Sequence, residues 1–175
     1  MLPSEARGLI VSAVTAGEGW ADLGAGSGTF SSALSGLLGP QGSVVALDRS
    51  RAALAGVRGV LGGAAITTVE ADFSLPLHIG KQFDGLLLAN SLHFVADQRG
   101  VLGGLLPLLS PPGKLLVLEY DVVRASRWVP YPLPFERLRT LAAAVGLPAP
   151  QRTAEHPSRY QGGPIYAALM SPVWL

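Results

Sequence analysis

At 175 residues, 49% hydrophobic content and a formal net charge of +1, the chain can bury one core and is too short for two ordinary domains, so one domain over 1–175 is expected. The absence of cysteine excludes disulfide frameworks, thiolate zinc sites and cysteine nucleophiles, and 14% charged residues argue against a surface built to neutralise phosphates. The first residues lack the basic start and apolar centre of an export signal, and the greasiest stretch, 101–109, is broken by Gly103, Gly104 and Pro107. A cytoplasmic protein with no metal, no nucleic-acid partner and no membrane partner is expected.

Apolar spacing predicts a short amphipathic helix over 4–14, followed by a turn at Gly17-Glu18-Gly19 and a buried strand ending at Leu23. Glycines then let the chain turn before a helix beginning near Thr29. Phe30, Ala33, Leu34, Leu37 and Leu38 recur at helical spacing and stop at Gly39-Pro40. Residues 43–47 read as a second strand. Ser50 caps a helix through Arg51-Ala52-Ala53-Leu54, and the β-branched run 65–70 is a third strand. A fourth strand over 83–89, a helix over 97–109 and a fifth strand over 114–120 continue the alternation. Their uninterrupted apolar character suits a parallel sheet covered on both faces. An irregular, aromatic and proline-rich stretch follows over 121–134. A helix over 135–145 comes next, and then a closing antiparallel hairpin, 152–160 paired with 165–170. Charge is uneven: residues 124–175 carry 6 Arg against Glu136 and Glu155, whereas residues 1–123 carry 7 Lys and Arg against 10 Asp and Glu.

The chemistry concentrates at Asp22-Leu23-Gly24-Ala25-Gly26-Ser27-Gly28. Glycines between a strand and a helix let a ligand approach bare backbone. Asp48 ends the next strand, 20 residues after Gly28, where a carboxylate accepts both hydroxyls of a ribose. The spacing is G-x-G-x-G, one residue short of the dinucleotide fingerprint, and Asp22 would oppose a pyrophosphate while tolerating a cationic ligand. A nicotinamide-dependent oxidoreductase is therefore disfavoured.

Several separated motifs resemble those of the class I S-adenosylmethionine-dependent methyltransferases. Asp22 with Gly24, Ala25, Gly26 and Gly28 is similar to the family's first motif, and Asp48, followed by Arg49, to its ribose-binding acid. Glu70-Ala71-Asp72-Phe73 resembles the motif that receives the adenine. Phe83-Asp84-Gly85 with Ala89-Asn90-Ser91-Leu92-His93-Phe94 resembles the fourth motif, which borders the methionine moiety, and Leu109-Ser110-Pro111-Pro112-Gly113-Lys114 the turn into the fifth strand. The resemblance implies a doubly wound, mostly parallel seven-stranded sheet with an antiparallel last strand in a three-layer Rossmann-like α/β fold. It also implies S-adenosyl-L-methionine as cofactor, released as S-adenosyl-L-homocysteine, and methyl transfer to a small-molecule acceptor by in-line displacement. A non-catalytic S-adenosylmethionine-binding module or regulatory subunit is the competing reading. The fourth motif lacks the Asn-Pro-Pro-aromatic pattern of enzymes acting on exocyclic base amines.

An acceptor that must lose a proton needs a base, for which His93, just past the fourth strand, and Glu119 and Asp121, at the end of the fifth, are the candidates. Packing of His93 between Leu92 and Phe94 is the competing reading. Trp128 and Tyr131, with Arg124 and Arg127 for an anionic group, are candidate acceptor contacts, and structural packing is the alternative for both aromatics.

Overall fold

The computed structural model describes residues 1–158 and 162–172, so the expected end of the first hairpin strand, Tyr160 with the following Gln161, lies outside the described residues. Seven strands form one sheet: β1 (Gly19–Leu23), β2 (Ser43–Asp48), β3 (Ala65–Glu70), β4 (Phe83–Ala89), β5 (Leu109–Tyr120), β6 (Gln151–His156) and β7 (Ile165–Met170). Their order is β3-β2-β1-β4-β5-β7-β6. The pairs from β3 to β5 are parallel and β7 runs antiparallel to both its neighbours, as expected.

Two apolar layers follow from the two-residue period of the strands. Leu86, Leu88, Leu115, Val117 and Tyr166 face α4 (Gln98–Leu105) and α5 (Phe135–Ala144). The intervening Leu87, Leu116 and Leu118, with Trp20 and Val44, face α1 (Pro3–Ile10) and α2 (Thr29–Leu38). Trp20 is wholly buried, and it packs over β4 where Gly85 has no side chain; a Cβ there would fall inside the indole ring. The remaining helix, α3 (Arg51–Leu54), is a single turn, with the Ser50 hydroxyl accepting from the Ala53 amide as its cap.

Several boundaries depart from the sequence expectation, among them the strand expected over 152–160, which ends at His156. The first helix ends at Ile10 rather than Val14. The helix expected over 97–109 ends at Leu105, and a single 3-10 turn over Leu106–Leu108 with Pro107 leads into β5, while residues 71–82 between β3 and β4 are irregular, with Ala71, Phe73, Leu77 and Ile79 packed on the core. Finally, β5 begins at Leu109, five residues early, because Leu109 pairs with Phe83 and the Ser110 hydroxyl bonds the Phe83 carbonyl. Pro111 and Pro112 have no amide hydrogen to donate, and the ladder shifts register between Phe83 and Gly85.

The chain order reverses across the sheet between β1 and β4, which places a crevice at the carboxyl ends of the strands. The contact beneath it is sterically exacting. Gly85→Val is expected to lower unfolding stability by about 3 kcal/mol by displacing the Trp20 ring; an unchanged urea midpoint would contradict that packing.

Candidate cofactor cleft

A cleft of about 1090 Å³ opens at this switch point. The glycine loop forms its floor. Gly24 and Ala25 both donate their amides to the Leu47 carbonyl, at 2.8 and 2.9 Å, and the Gly26 amide donates to Asp48 Oδ2 at 2.9 Å. Gly24 has φ +82°, and a Cβ added there would lie 2.6 Å from Ser91 Cβ, so the loop approaches the start of the segment after β4 more closely than any side chain permits. Gly26 has φ +54° and open space where its side chain would be, on the cleft side.

Of the expected cofactor residues, Gly24, Gly26, Asp48, Arg49, Asp72, Phe73 and Asn90 line the cleft. Asp48 accepts the Ser50 amide with Oδ1, at 2.8 Å, besides the Gly26 amide, and each oxygen keeps a further lone pair. Asp72 Oδ1 receives both the hydroxyl and the amide of Ser74, at 2.6 and 2.9 Å. Those bonds hold its carboxyl below the usual carboxylate value, with the Arg49 charge contributing. Asn90 has φ +53°, in the left-handed region that asparagine tolerates better than most residues, and its amide is held by the Leu118 carbonyl. Asn90 Oδ1 and Ser91 Oγ are buried without a hydrogen-bond partner among the described residues. Such orphans are uncommon inside a folded protein and mark a place where an external polar group fits.

Ser91 and Phe94 line the cleft although sequence reasoning had not singled them out as ligands. Ser91 belongs to the fourth motif, and the signal that exposes it is the absence of a side chain at Gly24 opposite.

Three other expected cofactor residues stand behind the cleft surface. Ala25 is tied to Leu47, and Gly28 caps α2, where a Cβ would meet Val57 at 2.9 Å. Asp22 is buried and accepts the Ser31 hydroxyl at 2.5 Å, fastening β1 to the first turn of α2. Burial pushes its carboxyl up to about 6; the Ser31 hydroxyl opposes this and the nearby Asp48 charge reinforces it.

The acceptor-side residues form a structural hub. His93 Nδ1 lies 2.6 Å from Glu119 Oε2, and the His93 amide donates to Glu119 Oε1 at 3.1 Å. With a carboxylate as its partner, Nδ1 is the donor of this contact. Both residues are buried, and the imidazole packs 4.2 Å from the Phe94 ring and 5.7 Å from that of Tyr120. Neither is among the cleft-lining residues. Asp121 is engaged in the fold: Oδ1 accepts the Phe135 amide that begins α5, and Oδ2 pairs with Arg152 at 2.8 Å. Trp128, Tyr131, Arg124 and Arg127 also lie outside the cleft lining. Trp128 and Tyr131 are exposed, so neither serves as core packing, and the Tyr131 amide bonds the His93 carbonyl at 2.9 Å. Gln98 Nε2 reaches the carbonyls of Leu92 and Tyr131, completing the junction between the two loops. No group of three or more His, Asp or Glu able to hold a metal occurs among the described residues.

Two outcomes test this geometry. Between about 3.8, the ordinary value, and about 6, native Asp22 retains a proton that the unfolded chain has lost, so its contribution makes stability fall as pH rises through that window. Asp22→Asn should remove that falling component, seen as a difference in urea midpoints between parent and variant across the window; parallel curves would contradict the buried placement. Glu119→Leu should cost about 1–3 kcal/mol by leaving the buried His93 donors unpaired, and equal denaturation midpoints would argue against the clamp.

Comparisons with known proteins agree with this fold. The family model described as the methyltransferase domain matches residues 21–115, more than half of the chain. The ubiquinone/menaquinone biosynthesis C-methyltransferase UbiE of Saccharophagus degradans is 31% identical over 116 residues, covering 63% of this chain and 46% of the relative. That of Pseudomonas fluorescens is 33% identical over 117 residues, covering 63% and 45%. The chain therefore spans less than half the length of these curated relatives. Among solved structures, the 1,6-didemethyltoxoflavin-N1-methyltransferase of Burkholderia thailandensis superposes with a TM-score of 0.76 over 98% of this chain and 78% of that one, at 19% identity. That structure holds 1,6-didemethyltoxoflavin and S-adenosylhomocysteine. With the domain pattern running from the second half of β1 to the start of the apolar stretch of β5, the chain belongs to the methyltransferase domain family.

Proposed function

We propose that the chain binds S-adenosylmethionine in this cleft and transfers its methyl group to a small-molecule acceptor. The observation that carries the reading is the convergence of the bare backbone at Gly24 and Gly26, the Asp48 and Asp72 carboxylates, and the orphaned Asn90 Oδ1 and Ser91 Oγ on one cavity. The donor set suits the ligand's parts. Asp48 would accept the two ribose hydroxyls on its remaining lone pairs. Asp72, kept ionised by Ser74, would accept the adenine amino group on Oδ2, with Phe73 against the ring. Asn90 Oδ1 and Ser91 Oγ would accept from the cationic amino acid end, which matches their lack of other partners.

Bound in this way, the cofactor supplies a sulfonium methyl open to in-line displacement. The chain's own task is then to orient the acceptor and exclude water, which in favourable systems removes about 7–11 kcal/mol of a barrier. We assign His93 and Glu119 a positioning role, since the pair pins the turn carrying Phe94 to the end of β5 and holds Tyr131 beside it. The fold likeness to the 1,6-didemethyltoxoflavin-N1-methyltransferase, whose structure holds 1,6-didemethyltoxoflavin together with S-adenosylhomocysteine, supports a small-molecule acceptor.

The test is incubation of the protein with methyl-labelled S-adenosylmethionine and a panel of small phenols, quinols and heteroaromatic amines. Release of S-adenosylhomocysteine above the background rate with at least one acceptor is expected. Absence of both turnover and thermal protection by S-adenosylhomocysteine would overturn the reading. Asp48→Ala should weaken S-adenosylhomocysteine binding by about 1.5–3 kcal/mol, the scale of hydrogen bonds to a charged group, and Gly26→Val should abolish it by filling the cavity side of the loop. Unchanged calorimetric affinity in either variant would remove that residue from the site.

A further inference from the structure

The loop after β5 carries a surface that neither the core nor the cleft explains. Val123 is 81% exposed, Trp128 67%, Phe94 56% and Tyr131 42%. Phe94 also lines the cleft, and the Tyr131 amide bonds the carbonyl of its neighbour His93, so the Phe94 and Tyr131 end of this surface borders the mouth of the proposed site, with Trp128 and Val123 on the same loop as Tyr131. Exposed aromatics of this size concentrated on two adjoining loops indicate an interaction surface rather than scattered surface residues. Arg124 and Arg127 are exposed within the same loop, and residues 122–135 contain no Asp or Glu. Arg127 lies 5.2 Å above the Trp128 ring, and neither arginine has a carboxylate partner among the described residues.

We propose that this rim docks the cleft mouth onto an anionic phospholipid bilayer, with Trp128, Val123 and Phe94 entering the interface and Arg124 and Arg127 contacting lipid phosphates. Three features favour a bilayer over a protein partner. Tryptophan and tyrosine with arginine are the side chains that seat at the boundary of headgroup and acyl chain, apolar body inward and polar end in water. Within the loop over 122–135 the charge is of one sign, with no acid interspersed between Arg124 and Arg127, although the exposed Asp97 lies on the adjoining segment after β4. The loop projects apolar side chains outward from a rigid base, because Val129 and Leu133 are buried and anchor it. The contact is peripheral. No helix among the described residues is long and apolar enough to cross a membrane, and broken apolar runs exclude a span without excluding surface adsorption. The inference rests on the proposed methyl-transfer site and deepens it, since an acceptor delivered to that mouth would be one that partitions into lipid.

The experiment is co-sedimentation of the full chain with vesicles of phosphatidylcholine alone and of phosphatidylcholine mixed with phosphatidylglycerol, at low and high salt. Strong binding to the mixed vesicles, weakened by salt and slight on the neutral ones, is expected. The double variant Arg124→Glu, Arg127→Glu should reduce it at least about tenfold, at about 1 kcal/mol per basic residue. Val123→Ser with Trp128→Ser should reduce it comparably. Thermal protection by S-adenosylhomocysteine, measured on every variant, should be unchanged, which separates a failure of docking from a failure of the cleft or of folding. Absence of vesicle binding, equal binding to neutral vesicles, or self-association of the parent that the serine variants abolish would each overturn the proposal.

Discussion

Three consecutive amides, those of Gly24, Ala25 and Gly26, are given to the end of β2, two to the Leu47 carbonyl and one to the Asp48 carboxylate. This stitching sets the rest of the site. It turns the loop flat against the strand end, holds Asp48 over the cleft, and leaves the face of Gly26 open. These donors belong to the loop between β1 and α2 and have no partner within it, so the end of β2 satisfies them while shaping the cavity. The same logic operates one layer back, where Asp22 spends an acceptor on Ser31 and ties β1 to that helix.

The parallel register converts this local arrangement into a site. Asp22 pairs with Ala46 and with Leu87, and Asp48 with Glu70, so the chain leaves β1, β2, β3 and β4 on the same edge of the sheet. Residues distant in sequence, Gly26, Asp48, Asp72 and Asn90, then share one cavity without any long insertion. The open topology around β1 and β4 leaves that edge uncovered, as in other doubly wound sheets.

Much of this architecture is written locally. The glycine loop, the carboxylate one crossover later and the apolar strands each carry a short-range signal, and the closing antiparallel strand follows from the family resemblance. Asp48, Asp72, Phe73 and Asn90, which motif alone singles out, all line the cleft. What stayed hidden depends on contacts between distant segments. Nothing near Asp121 announces that Phe135 and Arg152 will take its oxygens, and nothing near His93 announces Glu119, 26 residues later, although both acids end the same strand. The irregular connection between β3 and β4 has a local cause. Residues 71–82 contain enough apolar side chains to cover the core while Pro76 and Gly80 deny them helical continuity. The early start of β5 was masked by Pro111-Pro112, which reads as a turn and is accommodated as a break in the ladder.

The central claim is that backbone at Gly24 and Gly26, with Asp48 and the orphaned acceptors after β4, forms the seat of an adenosyl ligand. Titration of S-adenosylhomocysteine into nitrogen-15-labelled protein, followed by amide chemical shifts, tests it residue by residue. The account predicts saturable changes concentrated at Gly24, Gly26, Asp48, Phe73, Asn90 and Ser91. Saturable changes confined to any other face of the sheet, or none at all, would contradict it.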